Sequence, residues 1–226
     1  MEHADLDPTT RALLARYGRT YACELGIRIE KNTPAPLFQL LCAALLYSAR
    51  IQAPSATRAM KALLAAGLTT AQRVVDASWQ ERVDLISAHG YRRYDERTAT
   101  QLGQAGQLVQ ERYGGDLRRL REEAGRAPGR ERELLQEVKG IGPVGADIFL
   151  REAQIAWDEL YPFADARALA AAGRLGLGDT PAALAARVPE ADFARLAAAL
   201  VRVDLADDYA AVRAVAAAAR RGEAQL

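Results

Sequence analysis

The clearest chemical signal in the sequence is Val138-Lys139-Gly140-Ile141-Gly142-Pro143-Val144-Gly145-Ala146. An apolar-periodic segment, Glu131 to Lys139, leads in with Leu134, Leu135 and Val138 on one face. A second apolar segment, Ala146 to Ala156, leads out. Between them, Gly140, Gly142 and Gly145 permit positive φ and close approach of another backbone, and Pro143 fixes φ. The spacing predicts helix, tight hairpin, helix. The second helix then begins with N–H groups that no side chain covers, and the helix dipole points the same way. Such an end takes an anion, and a nucleic-acid phosphate suits it. Lys139, Gly140, Ile141, Gly142, Pro143, Val144 and Gly145 are therefore candidate DNA contacts. The plainer alternative is a glycine-rich turn between two packed helices.

Other residues carry weaker signals. Asp165 stands 20 residues after Gly145, in Ala164-Asp165-Ala166-Arg167 at the start of an alanine-rich helix. Its simplest role is an N-cap, which also exposes a carboxylate at a helix end. Leu45-Leu46-Tyr47-Ser48-Ala49-Arg50 ends a helix, where an exposed Arg complements the dipole. Tyr91-Arg92-Arg93-Tyr94 with Arg97 is basic and interleaved with aromatics, a pattern that suits phosphate contacts or a solvated face. His3 and His89 are too few for a metal site, and no P-loop, HExxH, CxxC or Gly-x-Ser-x-Gly occurs.

The elements that must position these groups are helical. Asp7-Pro8 starts the first helix through Leu13, Leu14 and Tyr17. Gly26 to Ile29 reads as a short extended piece. From Pro36, Leu37, Leu40, Leu41, Ala44, Leu45 and Ser48 share one face at helical spacing. Thr69-x-x-Gln72 and Ser78-x-x-Glu81 are capping boxes. Arg118, Arg119 and Arg121 alternate with Asp116, Glu122 and Glu123 as a salt-bridged helix surface. Thr180-Pro181 caps a later helix, and residues 192–205 form another with Phe193, Leu196, Ala197, Leu200 and Val201 inward. The sum is an all-α chain of about ten short helices.

At 226 residues, 50% hydrophobic and 26% charged, the chain has the composition of a soluble globular protein. The net charge of +1 does not announce a polyanion partner, though a local basic surface is compatible with it. Cys23 and Cys42 lie in apolar settings and read as buried thiols. The polar N-terminus and the lack of a long apolar run point to a cytoplasmic protein with no membrane partner, nucleoid-associated if bacterial.

Taken together, the hairpin frame, Asp165 and the Leu45–Arg50 stretch resemble the endonuclease III superfamily of helix-hairpin-helix DNA glycosylases. The resemblance spans roughly Leu37 to Tyr209 and is weak outside these three motifs. It implies an all-α, two-lobed fold, with residues 36–157 as a central lobe and residues 1–35 and 158–226 as a second. It implies a monomer acting on double-stranded DNA, with Asp165 activating water to hydrolyse the N-glycosidic bond. A carboxylate there would stabilise the oxocarbenium-like sugar. Arg50 replaces the family's gap-filling glutamine, and Tyr47 is a candidate wall of a base pocket. Two departures matter. The lyase lysine of bifunctional members is Val144 here, so no Schiff base can form there. No cysteine follows Cys42, so an iron–sulfur cluster with four C-terminal cysteines is not expected. A monovalent cation at the hairpin is the only ion the resemblance leaves room for. The rival readings are a non-catalytic helix-hairpin-helix DNA-binding protein and an all-α interaction module.

Overall fold

Six helices begin with proline in their first two positions, where a missing N–H leaves no intrahelical bond unmade. The computed structural model describes residues 6–88, 90 and 94–223. Fourteen α-helices form there: α1 (Pro8–Tyr17), α2 (Tyr21–Leu25), α3 (Pro34–Ser48), α4 (Ala53–Ala65), α5 (Ala71–Asp76), α6 (Trp79–Ser87), α7 (Asp95–Tyr113), α8 (Arg118–Glu123), α9 (Pro128–Glu137), α10 (Pro143–Ala153), α11 (Ala166–Leu175), α12 (Pro181–Ala185), α13 (Glu190–Ala206) and α14 (Tyr209–Glu223). No strand occurs among the described residues. The all-α expectation holds, with more and shorter helices than the sequence pattern suggested.

Caps explain many of the starts. Asp7 accepts from Thr9 N and Thr10 N at 3.0 and 3.1 Å, and Ser78 accepts from Glu81 N at 3.1 Å. The cap of α5 is Thr70 rather than Thr69, accepting from Arg73 N at 3.3 Å. The Thr69 carbonyl instead receives Gln39 Nε2 at 3.1 Å. The extended piece expected near Ile27 is absent. Ile29–Lys31 forms a single 3-10 turn closed by Asn32 at φ 46°. Ile29 is buried, and no neighbouring strand is present there to pair with an extended backbone.

The chain forms two compact units. In the larger, Leu25–Glu159, the centre is α3. Leu37, Phe38, Leu40, Leu41, Leu45 and Leu46 are buried on it, and α4, α7 and α10 lie against it. Each such side chain contributes roughly 1.5–3 kcal/mol when removed from water. In the smaller unit, Met1–Glu24 with Leu160–Leu226, α13 holds the centre. Phe193, Leu196, Ala197, Leu200 and Val201 are all buried, and α1, α11 and α12 contact this helix. Cys42 is buried, and that burial pushes its thiol up to about 12; Cys23 is exposed, against expectation, because α2 turns it outward.

Candidate nucleic-acid interface

The three hairpin glycines serve three different needs. Val138 leaves the α9 helix with ψ 120°, and Ile141 N donates to its carbonyl at 2.9 Å. Both side chains are buried and anchor the turn. Gly140 has φ 96°, and a Cβ there would meet Gln101 Cδ at 2.7 Å. The conformation thus requires glycine, while the Gln101 side-chain end would have to shift to admit a Cβ. Gly145 is buried, with Ile141 Cδ1 and Ser48 Cβ lying 3.3 and 3.5 Å from where its Cβ would stand. That closeness seats α10 on α3. Gly142 caps α10 with ordinary extended backbone (φ −93°, ψ −169°), open space around it and no side-chain cap bond. Gly142, Pro143 and Val144 are exposed, Val144 by 62%. The start of α10 therefore faces solvent bare, as an anion site requires.

Two grooves flank this end. One, of about 420 Å³, is bordered by Ser48 and Arg50 at the end of α3, by Tyr94, Arg97 and Gln101 around the start of α7, and by Gly140. The other, of about 510 Å³, runs from Arg97 and Gln101 past Lys139 to Gly142. Among the described residues, Arg50, Arg97 and Lys139 have no hydrogen-bond or ion-pair partner. This sets them apart in a chain whose arginines are mostly paired, such as Arg132 with Asp147 at 2.9 Å and Arg202 with Glu24 at 2.5 Å. Among the described residues, Glu137 is the one carboxylate bordering either groove, and Arg112 pairs with it. Hydrogen bonds from Arg112 to Glu123 and Glu137 raise the guanidinium pKa. The uncompensated charge beside the hairpin is thus entirely positive.

The structure brings Arg50 to the same groove as Gly140 of the hairpin. Tyr47 is half-buried with its hydroxyl 2.7 Å from Thr57 Oγ1 on α4, and it borders neither groove. Arg92 and Arg93 lie outside the described residues. Asp165 belongs to the smaller unit, where it caps α11 by accepting from Ala168 N at 3.0 Å and is only 8% exposed. Arg167 pairs with Asp204 at 3.1 Å. Gln101 was not marked by any sequence signal, since nothing in an amphipathic helix pattern says which polar residue will meet a distant glycine.

By sequence, no family model and no curated protein matches the chain. By structure it is similar to a non-covalent endonuclease III–DNA complex, with a TM-score of 0.54 and 16% identity over 90% of this chain and 86% of that chain. The chain has the endonuclease III-like helix-hairpin-helix fold. A trapped endonuclease III–DNA covalent intermediate, described as an estranged-adenine complex, is matched at a TM-score of 0.49 and 17% identity over 74% of this chain and 73% of that chain.

In this endonuclease III-like fold the first hairpin helix also carries a buried acid. Glu131 is fully buried on α9, and neither carboxyl oxygen receives a hydrogen bond. Burial, then the neighbouring Glu159 carboxylate, pushes its pKa well above the carboxylate range. Burial works against ionisation of Glu159 too, but Arg121 Nε at 2.5 Å holds that carboxyl below its usual range. Of the two carboxyls, Glu131 is therefore the one that more readily holds a proton. Arg121 was expected on a salt-bridged helix surface; it is ion-paired, but it turns inward, at 8% exposure. There it meets Asp158 Oδ1 at 2.6 Å and sits 5.7 Å from the Trp157 ring. The 3-10 turn Asp158–Leu160 is tied to α8 and α9 through this cluster.

Proposed function

We propose that this protein is a DNA-repair N-glycosylase that removes a damaged or mismatched base from double-stranded DNA by hydrolysis. The observation that carries the reading is the bare N-terminus of α10 flanked by unpaired Arg50, Arg97 and Lys139. Backbone N–H groups and cations that have no internal partner are what a phosphodiester backbone demands. The similar solved structure is an endonuclease III on DNA, which supports the same class of ligand. Asp165 supplies the chemistry. Its carboxylate stabilises positive charge on the sugar as the C1′–N bond lengthens and accepts a proton from the water whose oxygen forms the new C1′–O bond. The base departs with the bonding electrons and takes a proton from solvent. Val144 offers no amine, so the product is an intact abasic strand and the enzyme is monofunctional.

A single-turnover assay of base release on a panel of lesion duplexes tests this. Asn is as good an N-cap as Asp, so Asp165→Asn should unfold at nearly the wild-type denaturant concentration. Its rate should fall roughly a thousandfold or more. Base release at the wild-type rate would leave Asp165 a cap alone. The burial of Asp165 and its capping bond favour a second reading, a non-catalytic DNA-binding protein. That reading stands if the wild type binds duplexes yet releases no base across the panel.

A further inference from the structure

The carboxylates of the larger unit are unevenly paired. Asp76 on α5, Glu81 and Asp84 on α6, and Glu96 and Glu111 on α7 have no ion-pair partner among the described residues. Three of them are held instead by a glutamine one turn earlier. Gln72 Nε2 donates to Asp76 at 2.7 Å, Gln80 Nε2 to Asp84 at 2.9 Å and Gln107 Nε2 to Glu111 at 2.9 Å. An amide donor orients a carboxylate without cancelling its charge. The arginines of these helices leave that charge in place as well. Arg82 is buried and donates to the carbonyls of Val74, Ala77 and Ala99, and Arg112 is ion-paired elsewhere. Arg73 turns to the Gly67 carbonyl at 3.2 Å, and Arg97 borders the grooves at the hairpin. Asp76 is the last residue of α5 and Glu111 stands in the last turn of α7. The helix dipole opposes a negative charge at both places, and no internal cation offsets it.

An exposed apolar pair stands among these acids. Trp79 is 42% exposed at the start of α6 and Val75 is 39% exposed on α5. Both reach α7. Trp79 Nε1 donates to Thr100 Oγ1 at 3.0 Å, and Val75 Cγ2 lies 3.2 Å from where a Gly106 Cβ would stand. Thr100, Gly103 and Gly106 follow one another at three-residue spacing, so the two contacts share one strip of the helix. The indole N–H is satisfied internally, and what Trp79 offers outward is apolar ring surface. Asp76 follows Val75, and Glu96 lies one turn ahead of Thr100, whose hydroxyl donates to the Glu96 carbonyl at 2.8 Å. An unpaired carboxylate thus stands near each apolar contact. Val75, Trp79 and Thr100 border neither groove at the hairpin.

We propose that the face formed by α5, α6 and α7 docks another protein, through a segment that sets an apolar side chain on Trp79 and Val75 and lysines or arginines against Asp76, Glu96 and Glu111. Charge complementarity fixes the sign of the partner, and tryptophan is among the residue types that most often anchor a protein interface. Nucleic acid is the wrong occupant, because its phosphates would meet the same carboxylates. A second copy in an isologous contact would set these acids against themselves.

Trp79 reports its own occupancy, since Trp157, the other tryptophan, is fully buried. The probe is a synthetic amphipathic peptide of leucine and lysine, titrated into the full chain and followed by tryptophan emission and acrylamide quenching. Binding should shift the emission to the blue and shield it from acrylamide. The same peptide with glutamate for lysine, or with alanine for leucine, should bind roughly tenfold more weakly or worse. Trp79→Ala should abolish the response. Asp76→Asn with Glu96→Gln should weaken peptide binding roughly tenfold with an unchanged circular dichroism spectrum, and this double variant decides if Trp79→Ala fails to fold. No response to the lysine peptide, equal affinity for the lysine and glutamate peptides, or undiminished binding by the double variant would overturn the inference. A dimer in sedimentation that Trp79→Ala abolishes would overturn it in favour of a second copy. Shielding of Trp79 from acrylamide by duplex DNA alone would overturn it in favour of nucleic acid.

Discussion

Glu131 carries a proton where an exposed carboxyl would have lost it, and this has a thermodynamic consequence. The charges acting on it come from Glu159, on the 3-10 turn, and from Arg121, on α8. Its folded-state pKa is raised to about 8. Across the interval from the ordinary carboxylate value up to that point, the native chain holds a proton that the unfolded chain has released. The contribution of Glu131 is therefore full at acid pH and is lost as pH rises toward 8. Glu159, held low by Arg121, works the other way and loses its contribution only as pH falls below the ordinary carboxylate range. Glu131→Gln mimics the protonated acid. Urea unfolding should show the wild type losing about 2 kcal/mol between pH 6 and 8, at roughly 1.4 kcal/mol per unit, and the variant losing far less. Equal slopes for the two would show that Glu131 is ionised in the native state.

The hairpin element separates two kinds of glycine that a sequence motif treats alike. Gly140 sits at φ 96° with Gln101 against it, so Gly140→Ala must strain the backbone and displace a side chain. A stability loss of about 1–3 kcal/mol is expected, read from the denaturant midpoint. Gly142 has extended backbone and open surroundings, so the chain accepts a side chain there. Gly142→Glu should keep the circular dichroism spectrum and melting temperature. It should weaken DNA binding strongly, because a carboxylate then stands where the α10 N–H groups meet a phosphate. Unchanged affinity in the folded variant would take the hairpin out of DNA binding.

Over the whole molecule a net charge of +1 conceals an uneven distribution. Many arginines are ion-paired, whereas Arg50, Arg97 and Lys139, which border the grooves beside one helix end, have no partner among the described residues. If these three meet phosphates, log K against log salt should have a slope of about −3, since each neutralised phosphate contributes roughly −0.9. Lys139→Gln should reduce the slope by about one unit. A slope near zero would indicate that the protein does not bind the DNA backbone, which is the outcome expected of an interaction module.

What the sequence determined by itself is local. Asp7, Ser78 and Thr180 cap the helices they precede because an N-cap needs only its own side chain and the N–H two or three residues on. The same holds for Asp165 as the cap of α11, for the hairpin frame from Val138 to Ala146, and for the missing amine at Val144. The apolar faces of α3 and α13 followed from helical periodicity. Tertiary structure decided everything that depends on a partner far along the chain. It laid Gln101 against Gly140, brought Arg97 to the same groove as Arg50, turned Arg121 inward to Glu159, and enclosed Glu131 beside that pair. Whether a charge remains free depends on which elements fold next to it. No local pattern distinguishes Arg97, which stays unpaired, from Arg112, which meets Glu123 and Glu137 across two helix boundaries.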